Sequence, residues 1–97
     1  MNKIDELIAR SQELSKKALL GCQPEIYEAM SSLLEDTLAL LQASKFQNIE
    51  TLNEVIRDLL EAQEHQDLYR ISDSLGYELP YVLRLIADHN KQISRGD

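Results

Sequence analysis

An all-α fold is expected, either an up-and-down four-helix bundle or two stacked helical hairpins, with a long last helix kinked near Gly76 and Pro80. Three observations predict it. The 97 residues include four Tyr, one Phe, no Trp, three Gly and two Pro, so strand formers and turn makers are scarce while Leu, Ala, Glu, Gln, Ile and Lys dominate. Apolar residues recur at spacings of three, four and seven, the period of one helix face. A chain of this length holds one core, so residues 1–97 form a single helical domain.

The first segment runs from Asn2 to Leu20. Its stripe is Ile4, Leu7, Ile8, Leu14 and Ala18, with Ser11 and Ser15 on or beside it. Small residues there let a neighbouring helix approach closely, and each hydroxyl can bond back to its own helix. Gly21 supplies a C-terminal cap. The second segment opens at Gln23-Pro24, where a proline loses nothing because an N–H at that position would have had no partner. Glu25 and Glu28 suit its positive end. Ile26, Met30, Leu33, Leu34, Leu38 and Leu41 make the strongest periodic signal in the chain, with Thr37 beside them and Leu40 and Tyr27 widening the stripe, so this helix is expected to be central.

The third segment begins at Asn48, a good N-cap, and carries Ile49, Leu52, Val55, Ile56, Leu59 and Leu60. It ends near Glu64 or His65 because the stripe loses phase before Leu68, and Asp67 is the next N-cap. From Leu68 the apolar positions Ile71, Leu75, Leu79, Val82, Ile86 and Ile93 keep one helical phase across Gly76 and Pro80. A helical proline clashes with the carbonyl four residues back, which here belongs to Gly76, the residue best able to adjust. One long kinked helix is therefore favoured over two helices broken between Gly76 and Pro80.

Charge narrows the partners. Ten Lys and Arg against 17 Asp and Glu give a net charge of −7, which repels phosphate backbones and anionic lipid, so neither nucleic acid nor membrane is expected as a partner. No apolar run approaches the roughly 20 residues of a membrane span. Met1–Glu6 places acids where a signal peptide needs basic and then apolar residues, and the lone Cys22 cannot form an internal disulfide. A cytoplasmic protein is expected.

A search for chemistry finds little. Di-iron bundles need Glu-x-x-His on inward faces, but Ala62 and Ile86 stand three residues before His65 and His89. Glu61 and His65 are four apart without an evident third ligand. Cys22 precedes a helix N-terminus, which favours a thiolate, yet no His or Lys neighbours it in sequence. No phosphate-binding Gly-rich loop, zinc spacing or Ser-His-Asp pattern occurs, and no cofactor is expected.

Two resemblances bear on function. Ile4-Asp5-Glu6-Leu7-Ile8-Ala9-Arg10, followed by Lys16-Lys17, resembles the first helix of the small all-helical chorismate mutases. Those enzymes hold a dianionic substrate between helices with inward-facing Arg and Lys, which implies convergence of Arg10, Lys17, Arg57 and Arg84. Here Arg10, Arg57 and Arg84 flank or oppose the apolar stripes instead. Glu64-His65-Gln66-Asp67 and Ile71-Ser72-Asp73-Ser74-Leu75-Gly76-Tyr77-Glu78-Leu79-Pro80 resemble an element of small uncharacterised all-helical proteins of Gram-positive bacteria. Some of these belong to motility gene clusters and are similar to flagellar chaperones. Gly76 and the adjoining Leu79-Pro80 depart from that pattern. The resemblance implies binding, with no catalytic residues to carry over.

Three of the four tyrosines fall between positions 69 and 81. With Leu75 at the centre of the buried face, Arg70, Tyr77, Tyr81 and Arg84 project to the opposite side, together with Asp73 and Asp88. Tyr and Arg are enriched in binding hot spots, so this stripe is the candidate surface for a protein partner or a second copy of the chain. The plainer expectation is that a kink at Gly76 and Pro80 rotates the second half and buries Tyr77 or Tyr81. A non-enzymatic interaction module is the expected function, with a chorismate-mutase-type enzyme as the alternative.

Overall fold

The computed structural model describes residues 2–21, 23–44 and 49–95, and all of its regular structure is helical. Cys22 and Asn48, together with the side chains of Ile49 and Ile93, lie outside the described residues. The elements are α1 (Lys3–Ala18), α2 (Gln23–Ser44), α3 (Ile49–Glu64), α4 (Leu68–Asp73) and α5 (Leu79–Arg95), with a π-helical turn at Ser74–Glu78 joining the last two without interruption. Together α4, the turn and α5 form one fourth helix. Its 28 residues, 68–95, would span about 42 Å as an α-helix, close to the 47 Å long axis of the molecule.

The helix ends follow local chemistry. Asn2 caps α1 by accepting the Asp5 N–H at 2.8 Å, with Asp5 and Glu6 at the positive end and Lys16 and Lys17 at the negative end. Past α1, Gly21 takes a φ of 83°, a left-handed conformation that glycine adopts without penalty. Helix α3 stops without a glycine. Gln66 itself enters the left-handed region at φ 55°. Its N–H donates to the Gln63 carbonyl at 3.1 Å and the Asp67 N–H to the Ala62 carbonyl at 2.8 Å, the paired bonds of a Schellman cap. Asp67 then starts α4 by accepting the Arg70 N–H at 3.2 Å.

Two antiparallel hairpins stack. Arg10 meets Ser32 and Asp36 across α1 and α2, while Glu61 meets Arg70 across α3 and α4. Helix α1 packs against α2, α4, the π turn and α5, and α5 also touches α2 and α3. The inner pair is therefore α1 with the fourth helix, and α2 and α3 flank it. This corrects the expectation that α2 is central: a long apolar stripe did not win the middle position, because the small residues of α1 allow closer approach. Ser11, Ser15 and Ala18 are all buried there.

That close approach is polar as well as steric. The hydroxyls of Ser11 and Ser15 bond across to the fourth helix rather than back to their own. The Ser15 hydroxyl donates to the Ser72 carbonyl at 2.7 Å. Ser15 has one hydroxyl proton, so the Ser72 hydroxyl is the donor in the 2.9 Å contact between the two side chains. The Ser11 hydroxyl donates to the Leu75 carbonyl. Gly76 faces the same seam, where a Cβ would lie 2.8 Å from Ser15 Oγ.

These contacts explain how a proline sits inside a helix. In the π turn the Leu79 N–H reaches the Ser74 carbonyl, five residues back. Pro80 has no N–H with which to continue that pattern to Leu75, and Ser11 supplies the missing donor. The change of helical winding falls beside Gly76 and Pro80, where the sequence places its kink.

The core is built from Leu7 and Leu14 of α1, Ile26, Met30 and Leu33 of α2, Leu52 and Leu59 of α3, and Ile71, Leu75, Leu79, Val82, Leu83 and Ile86 of the fourth helix. Leu83, outside the single stripe read from the sequence, is fully buried because the fourth helix has neighbours on several sides. Leu38 and Leu60, at the edges of their stripes, are exposed. Thr37 takes the core position near Leu38, its hydroxyl satisfied by the Leu33 carbonyl at 2.8 Å.

Candidate functional site

Gly76 turns its Cα toward Ser15 of α1, and the next residue lies on the exposed side of the π turn. Tyr77 is 76% exposed and Tyr81 57% exposed. This corrects the expectation that a kink would bury one of them. The turn alters helical winding without folding either ring inward, because the buried side is already occupied by Leu75, Leu79 and Val82.

Tyr77 and Tyr81 border an open groove between α3 and the fourth helix, with a volume of about 380 Å³. Its floor is apolar, made by Val55 and Val82, both buried. Thr51, Glu54 and Asp58 line the α3 wall at helical spacing, and Glu78 stands beside the tyrosines on the other. No Lys or Arg is among the lining residues. Arg10 pairs with Asp36 at 2.6 Å and Arg70 with Glu61 at 3.7 Å, and neither cation neutralises Glu54, Asp58 or Glu78. Glu78 Oε1 does accept from Ser74 Oγ, at 3.3 Å. The groove thus presents two aromatic rings and three carboxylates above an apolar floor.

The stripe proposed from sequence is divided. Tyr77 and Tyr81 share the groove. Arg84 follows Tyr81 by three residues, a rotation of about 60° short of a full turn, and lines the cleft between α1 and α5 with Ile8, Ala87 and Asp88. Arg70 precedes the π turn, whose wider winding offsets it from Tyr77, and it is drawn toward Glu61 on α3. Tyr69 is exposed at 79% but does not line the groove. Glu54 and Asp58 were not legible as site residues, since a single sequence marks them only as the polar flank of α3.

A larger cleft of about 560 Å³ runs between α1 and α2, lined by Arg10, Lys17, Leu14, Ala29 and Leu33 among others. Arg10 reaches across the hairpin to Asp36 and Ser32, so its cation is already engaged. That bond to Asp36 holds the aspartate carboxyl below its ordinary value, with burial working weakly against it. Arg57 lies on another face, with Leu60 and Glu64. Arg10 with Lys17, Arg57, and Arg84 therefore line three separate clefts. Exposed His65 sits one turn from Glu61, which faces Arg70. Among the described residues no group of three or more His, Cys, Asp or Glu side chains could hold a metal ion, and no helix is long and apolar enough to cross a membrane. Comparison with known proteins finds no matching family model, no matching curated protein and no matching solved structure.

Proposed function

We propose that this protein is a non-enzymatic cytoplasmic interaction module, chaperone-like or adaptor-like, that works by burying a partner surface against Tyr77 and Tyr81. One observation carries the reading: two large aromatic side chains, one turn apart, are held in solvent by a tightly packed helical turn. Tyrosine gives a large contact area at little entropic cost, having only two side-chain torsions to order on binding. The alternative, an enzyme of chorismate mutase type, requires Arg10, Lys17, Arg57 and Arg84 in one pocket. Their distribution over three clefts supports the non-enzymatic reading.

The test is site-specific photo-crosslinking from positions 77 and 81 in a bacterial cytoplasmic extract, with position 28 on α2 as control. Discrete adducts from 77 and 81 alone are expected, competed by excess wild type and not by the Tyr77→Ser/Tyr81→Ser double variant. Equal competition by the double variant refutes the reading. Because both rings are exposed, that variant should keep its fold, with a stability change within about 0.5 kcal/mol.

A further inference from the structure

We infer that the groove between α3 and the fourth helix takes an amphipathic helix bearing arginine or lysine, supplied by another protein. The inference rests on the docking reading above and adds the chemistry of the occupant. Three features of one site point to it. The exposed rings of Tyr77 and Tyr81 supply apolar area beside a floor sealed by Val55 and Val82, so the apolar side of a helix laid between two others meets no polar group there. Tyr77 and Tyr81 offer aromatic faces at the rim, which attract a guanidinium or ammonium group through the ring quadrupole. Glu54, Asp58 and Glu78 surround those rings with negative charge and have no cationic partner among the described residues. A cation seated between the rings and the carboxylates meets both attractions at once.

Charge also decides against the other occupants. A second copy of this chain brings a net charge of −7 and would set its own acidic groove against this one. An acidic peptide or a nucleic acid would place like charges opposite Glu54, Asp58 and Glu78, which costs affinity. An arginine is favoured over a lysine in one respect, since its planar head stacks on a tyrosine ring while donating sideways to a carboxylate.

The probe is a fluorescently labelled Leu–Arg amphipathic helical peptide of about 18 residues, or about five turns, compared with Leu–Gln and Leu–Glu counterparts on the full-length protein. The Leu–Arg peptide should bind tightest and shift the amide resonances of Tyr77, Tyr81, Glu54 and Asp58. Replacing Glu54, Asp58 and Glu78 together by Gln should weaken it roughly tenfold, since each exposed pair contributes a fraction of a kcal/mol. A control with the same change in net charge, Glu6→Gln/Glu28→Gln/Glu35→Gln on α1 and α2, should weaken it less than about threefold if the effect is local. Equal loss in the two triple variants, or resonance shifts away from the groove, overturns the inference. So does equal binding of the Leu–Gln peptide at the groove, although docking at the tyrosines then still stands. A concentration-dependent dimer that Tyr77→Ser/Tyr81→Ser abolishes overturns it in favour of self-association.

Discussion

Replacing Gly76 by alanine tests the seam that orients the groove. In an ordinary exposed helix this change stabilises by roughly 1 kcal/mol, because glycine has more freedom to lose. Here the new Cβ would stand 2.8 Å from Ser15 Oγ, closer than a carbon and an oxygen tolerate. Ser15 must turn away, and in doing so it leaves the Ser72 carbonyl and the Ser72 hydroxyl, which it meets at 2.7 and 2.9 Å. Leaving two such buried groups unpaired costs about 3 kcal/mol, taking each in the lower half of its range. The net expectation for Gly76→Ala is a loss of about 2 kcal/mol, or a fall in Tm of roughly 8 to 16 °C for a domain of this size.

Ser15→Ala removes the obstructing oxygen and the same two bonds, for a loss of about 3 kcal/mol. In that background the Cβ added at residue 76 meets only the residue-15 Cβ at 3.5 Å, an ordinary contact. Gly76→Ala should then regain roughly 1 kcal/mol. Thermal and urea unfolding of the four proteins, followed by far-ultraviolet circular dichroism, gives the coupling directly, expected near 3 kcal/mol. If Gly76→Ala stabilises wild type and Ser15→Ala equally, the seam does not have the packing described and the reasoning fails.

Other changes probe separate features. Gln66 occupies a left-handed conformation at φ 55° and is exposed, so Gln66→Gly should raise stability by about 0.5 to 1 kcal/mol; no gain in urea unfolding would contradict the cap assigned to α3. Ser11→Ala leaves the Leu75 carbonyl without its donor and should cost about 1 to 3 kcal/mol, while Pro80→Ala restores a backbone N–H nearby and should recover part of that loss. The Asp36 carboxyl, lowered by its bond from Arg10, should titrate below 3.8 in a carbon-detected NMR titration and return toward that value in Arg10→Ala. Because the folded state has the lower pKa, the pair's contribution to stability is complete well above the ordinary value of 3.8 and is lost as the pH falls through the lowered folded value. An unchanged Asp36 midpoint in Arg10→Ala would exclude the pair as the cause.

The all-α class was legible in composition and period, and most of the boundaries came with it. Asn2 and Asp67 announce helix starts through side chains that accept backbone N–H groups, a matter of neighbours three residues away. The end of α3 was less plain, because Gln66 adopts a conformation usually signalled by glycine and does so within a cap its sequence does not advertise. Burial of Tyr77 or Tyr81 was the plainer reading of the sequence, and it failed because the buried side of that helix is already occupied by Leu75, Leu79 and Val82.

Local rules determined what this sequence decides alone: which segments are helices, which stripe of each is apolar, and that the chain carries a strong negative charge. Tertiary structure decided which helix lies inside, because that depends on how closely two surfaces can meet, and Ser11, Ser15 and Gly76 matter only when brought face to face. It also joined Glu54 and Asp58 of α3 to Tyr77 and Tyr81. A groove belongs to two helices at once, and no periodicity within either one records which polar flank the other will meet.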